Sequence, residues 1–126
     1  MYRYYNPNPR GNVTAGDCVI RAITKADKID WATVYTALCV YGMKYGDWGN
    51  SNAAWDAYLR DQGYKRKIIP NTCPSCYTVG DFAREHPSGT YIAATGRHAV
   101  AVVNGDWFDS WNSRNEIPMY YYTKEE

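Results

Sequence analysis

Apolar residues recur at helical spacing through the first half of the chain. In the second half they alternate, or run together over four to six positions as strands do. A helix is predicted to begin near Cys18, with Asp17 as its cap, and to run through Ile20, Ala22 and Ile23. A second helix, capped by Asp30, places Trp31, Val34, Tyr35 and Leu38 on one stripe and ends before Gly42. Residues 42–50, with three glycines, read as loop. A third helix starts near Ser51, turns Trp55, Tyr58 and Leu59 inward, and stops at Gly63. Strands follow at 64–69, 90–94, 98–103, 106–111 and 117–122. A short helix opens at Thr78 with capping-box spacing to Asp81, and Pro87 lies beyond it. Residues 1–15, rich in Pro, Asn and Gly, read as an extended arm and loop. Helices first and an antiparallel sheet last predict an α+β fold. The length of 126 residues suits a single domain spanning 1–126.

Composition narrows the function classes. The net charge of +1 offers no large field for a nucleic acid or an acidic membrane. The one basic run, Lys65-Arg66-Lys67, reads as a solvated strand face. No apolar stretch approaches a membrane span, and the first residues, MYRYYNPNPRGN, hold no apolar signal segment. The expectation is a cytoplasmic protein with no nucleic-acid or membrane partner; oligomeric state is not legible. The four cysteines at 18, 39, 73 and 76 are then expected to be reduced. Cys73-Pro-Ser-Cys76 has half the spacing of a zinc site, with His86 and Cys39 as conceivable partners, and also the spacing of a redox motif. Structural thiols are the favoured reading, with a metal site and a local disulfide or redox role as the alternatives, and no metal or cofactor is expected. His86 reads as a cation at a helix C-terminus. Thirteen tyrosines and five tryptophans suit either a small core with wet edges or a peptide-gripping surface. Tyr2–Tyr5 and Tyr120–Tyr122 are the runs in question.

Chemistry concentrates at Cys18 and His98. A cysteine in the first turn of a helix lies near unpaired N–H groups and a positive dipole end, which favour its thiolate. His98 opens the strand HAVAVV, which leads into Asn104-Gly105, a strong signal for a two-residue hairpin turn. That turn pairs Val103 with Asp106 and Val100 with Asp109, so Asp109 lies diagonal to His98 on the same face. Asp109 is the expected orienter of the imidazole; a three-residue turn would give that role to Asn112. The N–H of Cys18 and the side chain of Asn12, six residues upstream, are the expected oxyanion donors.

The order Cys18, His98, Asp109 resembles that of papain-like cysteine peptidases, in which the nucleophile heads a helix and the base comes from a late sheet. The stretch GTYIAATGRHAVAVVNGDWFDSW is similar to the His-hairpin-Asp region of compact bacterial and phage members, including double-glycine leader peptidases. Asn12 stands where that family carries Gln. The resemblance implies N-terminal helices packed on a C-terminal antiparallel sheet. It also implies peptide or isopeptide cleavage through a thioester, on a peptide or protein substrate. A deamidase or transglutaminase-like acyltransferase would use the same pair. An inactive protein-binding module is the reading outside enzymes.

Overall fold

The computed structural model describes residues 1–124. The elements are β1 (Tyr2–Tyr4), α1 (Cys18–Asp27), α2 (Trp31–Tyr45), α3 (Asn52–Asp61), β2 (Lys65–Ile68), α4 (Val79–Glu85), β3 (Thr90–Ala94), β4 (Ala99–Val103), β5 (Asp106–Asp109) and β6 (Tyr120–Thr123). The fold is α+β. One sheet runs in the order β1-β5-β4-β3-β6-β2. All neighbours are antiparallel except β1, which joins β5 in parallel. The expected arm at residues 1–15 thus begins as an edge strand, and the sheet is mixed, not purely antiparallel. Edge strand β2 carries Lys65-Arg66-Lys67, and all four of its residues are exposed. No helix among the described residues is long and apolar enough to cross a membrane.

Alternation along the central strands makes two cores. Ile92, Ala94, Ala99 and Ala101 face the layer of α1, α2 and α3, with Ile23, Val34, Leu38, Trp55 and Leu59 buried among them. Ala93, Val100 and Val102 face Val79, Phe82 and Ala83 of α4. Each fully buried Leu, Ile or Phe contributes roughly 1.5–3 kcal/mol relative to exposure. The alanines on the first face let α1 lie close across β3, β4 and β5. Tyr120 and Tyr122 pack on Trp55, while Tyr121 packs on Phe82, so this tyrosine run serves the two cores.

The cap at Asp30 and the Thr78–Asp81 capping box form as expected, and the helix expected near Ser51 is capped by the Ser51 side chain. Other expectations need correction. Helix α2 runs through Gly42 to Tyr45 and is closed by Gly46 at φ +63°. Gly42 is there for contact: a Cβ on it would lie 2.6 Å from the Asp47 carbonyl oxygen and 2.8 Å from the Gly49 nitrogen. Asp17 precedes α1 but makes no side-chain cap, because its carboxylate is engaged elsewhere. Strand β5 ends at Asp109, not 111, where the chain turns back and the Ser110 N–H donates to the Asp109 carboxylate. Strand β6 starts after Pro118, which has no N–H to offer a ladder. Cys73 and Cys76 form a disulfide, their Cα atoms 4.1 Å apart, against the expectation of reduced thiols. An argument from cellular compartment does not register a turn that sets two thiols side by side. His86 stands at the C-terminus of α4, where its ring stacks on Phe82 at 3.9 Å and its Nδ1 lies 2.7 Å from the Phe82 carbonyl.

Candidate active site

The start of α1, the start of β4 and the end of β5 meet at one end of the sheet. Asn104 and Gly105 both have positive φ, +50° and +83°, the two-residue turn that matches strand twist. Val103 therefore pairs with Asp106 and Ala101 with Phe108. This register carries Asp109 back to the level of His98, and Oδ2 of Asp109 lies 2.6 Å from His98 Nε2. Thr95 fixes the backbone of the base: its Oγ1 accepts from the N–H groups of Arg97 and His98, each at 3.0 Å. The Trp111 ring lies 5.0 Å from the imidazole.

Cys18 is the first residue of α1 and half-buried. Its sulfur shares the lining of one cleft with His98 and lies 4.0 Å from the Arg97 carbonyl oxygen. With Nε2 committed to Asp109, Nδ1 is the ring nitrogen left for the sulfur. Burial pushes the Cys18 thiol up, but the His98 hydrogen bond and charge and the Ala99 N–H more than offset this, and the pKa ends below the ordinary value. Burial likewise works to lower His98, yet hydrogen bonds to Asp109 and Cys18, with their charges, raise it to about 9. Asp109 is lowered: burial opposes this, while His98, Ser113 and Arg21 favour the carboxylate. These directions favour the thiolate of Cys18 and the imidazolium of His98.

A cleft of about 160 Å³ opens over the pair, lined by Gly16, Cys18, Asn50, Asn52, Trp55, Thr95 and His98 among others. Asn52 holds its amide in a defined sense, because Oδ1 accepts the Trp55 indole N–H at 3.1 Å. The Nδ2 donors are thereby left free for the cleft. The Cys18 N–H, in the first turn of α1, has no acceptor within its own helix.

The structure brings together Cys18, His98 and Asp109. It does not bring in Asn12 or Asn112. Asn12 borders a neighbouring cavity, and its Oδ1 accepts from the N–H and hydroxyl of Thr14 at 2.8 and 2.9 Å. That is local turn chemistry, favoured by Asn in a loop. Asn112 accepts from the Trp107 indole at 3.1 Å, away from His98.

Two features escape a reading of the sequence. Arg21, buried one turn beyond Cys18, places Nη2 3.0 Å from Asp109 and Nη1 3.1 Å from Asp17. Asp17 also accepts the Trp31 indole N–H at 2.8 Å and the Asn8 amide at 3.2 Å. Ser113 donates to Asp109 Oδ2 at 2.7 Å. The two buried carboxylates are balanced by Arg21 and by protonated His98, which is the condition for holding charge in an apolar interior. Arg21 at i+3 from Cys18 was the available signal: it falls within a helix whose neighbouring residues Ile20, Ala22 and Ile23 are all buried. Asn52 carried no such signal. Comparisons of the chain with protein-family models, with curated proteins and with solved structures find no match.

Proposed function

We propose that this protein is a cysteine hydrolase of amide bonds, a peptidase of papain-like kind, with Cys18 as nucleophile, His98 as acid–base and Asp109 as orienter. One observation carries this reading: a helix-borne thiol and an imidazole line one open cleft, and the imidazole is hydrogen-bonded to a buried carboxylate. The order of the three residues supports the papain-like assignment.

In the reaction the Cys18 thiolate attacks the carbonyl carbon, and the carbonyl oxygen becomes an oxyanion. The Cys18 N–H and the Asn52 amide donate to it. His98 gives its proton to the leaving nitrogen, the C–N bond breaks, and a thioester remains. Water then attacks the thioester carbonyl as His98 accepts its proton. The C–S bond breaks, the acid leaves and the thiolate–imidazolium pair returns. Asp109 stays ionised throughout and holds the ring with Nδ1 toward sulfur.

The test uses iodoacetamide and a peptide library. At neutral pH Cys18 should alkylate faster than Cys39, and His98→Ala should slow Cys18 alkylation because the thiol loses its cationic partner. Cys18→Ala should abolish cleavage of the library as read by mass spectrometry. Ammonia release without chain cleavage would assign the same residues to a deamidase. Cys39 reacting faster than Cys18 would sink the enzyme reading and leave a binding role.

A further inference from the structure

One guanidinium joins the helix layer to the sheet at this site. Arg21 lies on α1, one turn after Cys18, and is buried. Its Nη2 is 3.0 Å from Oδ1 of Asp109 at the end of β5, and its Nη1 is 3.1 Å from Oδ1 of Asp17, the residue before Cys18. The other oxygens are engaged as well. Oδ2 of Asp109 lies 2.6 Å from His98 Nε2 and accepts from Ser113 at 2.7 Å, while its Oδ1 also accepts the Ser110 N–H at 2.8 Å. Oδ2 of Asp17 accepts from Trp31 and Asn8. Neither carboxylate can rotate without losing a partner. A planar guanidinium serves both at once in fixed geometry, which the compact ammonium of a lysine does not.

Charge adds a second consequence. Asp109 is one anion between two cations, Arg21 and protonated His98. A cation that shares the carboxylate weakens its hold on the imidazolium, and the same cation one turn from the sulfur favours the thiolate. Other titratable groups surround the pair. The Tyr2 hydroxyl on β1 donates to the Asp109 carbonyl, and the exposed Arg97 borders the cleft. Lys25, the next cation along α1, lies over the Phe108 ring instead.

We infer that Arg21 is a positioning residue of the proposed hydrolase: it locks the helix start that carries Cys18 to the carboxylate that orients His98, and divides that carboxylate between two cations. The inference rests on the cysteine-hydrolase reading and names the residue that sets the pH window of its site. Arg21 acts through Asp109 and Asp17, not on the reacting atoms.

The experiment follows the His98 imidazole by NMR in the full chain labelled at histidine, where His86 is the one other signal. The pH dependence of Cys18 alkylation by iodoacetamide is measured alongside. Arg21→Met removes the competing cation. His98 should then titrate above its wild-type value, and the acid limb of Cys18 alkylation should move up by about one pH unit, a tenfold slower reaction on that limb. Asp17→Asn keeps the side-chain shape and leaves Arg21 wholly to Asp109, so His98 should titrate below its wild-type value. Opposite shifts in the two variants are the signature. A purely structural Arg21 would change stability in urea and leave both titrations in place. Unmoved titrations in folded Arg21→Met overturn the inference. Should Arg21→Met not fold, Asp17→Asn decides alone: a His98 titration at or above the wild-type value overturns it. Either result spares the hydrolase reading where wild-type Cys18 outpaces Cys39. A wild-type Cys18 no faster than Cys39 overturns that reading and the inference with it.

Discussion

At Asp109 one buried carboxylate joins three parts of the chain: His98 before β4, Arg21 in α1 and Ser113 beyond β5. Its charge does two things with opposite pH signs. Together with Cys18 it raises His98 from the ordinary 6.5 to about 9 against the effect of burial, so the protonated ring contributes stability fully below 6.5 that is lost as pH rises through about 9. Asp109 itself is lowered from 3.8, so its contribution is present above that value and lost as pH falls through the depressed one. The proposed reaction needs the thiolate and the imidazolium together. It should rise as Cys18 deprotonates, below the ordinary thiol range, and decline near 9 as His98 loses its proton. In Asp109→Asn the charge that holds His98 up is gone, and the alkaline limb of the peptide-cleavage profile should move toward neutral pH. An alkaline limb that stays in place would mean Asp109 does not control the ring.

Asn52 is tested at the same scale. Its free amide borders the cleft, whereas Asn12 borders the neighbouring cavity. Asn52→Ala should lower kcat by roughly 10²–10³-fold, the usual cost of one oxyanion donor, without slowing iodoacetamide alkylation of Cys18. Alkylation forms no oxyanion, so it separates this role from thiolate activation. A loss of that size from Asn12→Ala instead, with Asn52→Ala unaffected, returns the role to Asn12.

Among the elements, β1 has the least obvious part. It is three residues long, yet it covers the outer edge of β5, the strand that ends in Asp109. The Tyr2 hydroxyl and the Tyr5 N–H both donate to the Asp109 carbonyl, at 3.1 and 2.8 Å. Tyr5 also meets Phe108 edge-on, and its hydroxyl lies 3.1 Å from Thr24 of α1. Removing residues 1–5 should cost about 1–3 kcal/mol in urea denaturation, from a few net hydrogen bonds of 0.5–1.5 kcal/mol each. Amide exchange at Trp107, whose N–H donates to the Met1 carbonyl at 3.2 Å, should accelerate, and peptide cleavage should weaken because Asp109 loses its backbone support. Unchanged protection at Trp107 would show that β5 holds its place alone. Elements differ in how openly they announce themselves. Helix α4 is written in four adjacent residues, its capping box; β1 has no hydrophobic run and forms only because β5 offers an unpaired edge. The glycine-rich stretch after α2 misled for a related reason. Gly42 suggests a helix end when taken with its neighbours in sequence, but its lack of a Cβ serves a close approach of the 47–49 backbone.

For the molecule as a whole, distance along the chain divides what residues alone could reveal from what folding had to settle. The two-residue turn at Asn104-Gly105 sets the β4–β5 register from local backbone preference, and that register brings His98 and Asp109 together across 11 residues. The helix start at Cys18 is equally local, and the α+β division follows from periodicity. Those features could be read directly because short-range sterics and hydrophobic spacing act without knowledge of the rest of the chain. The Asp17–Arg21–Asp109 network could not be. Arg21 and Asp109 lie 88 positions apart, and nothing in either residue specifies the other until α1 is packed across the sheet and both are desolvated. The same holds for Asn52 in the cleft and for β1 on its edge. Each depends on which surfaces are buried together, and burial belongs to the assembled layers, not to any one segment.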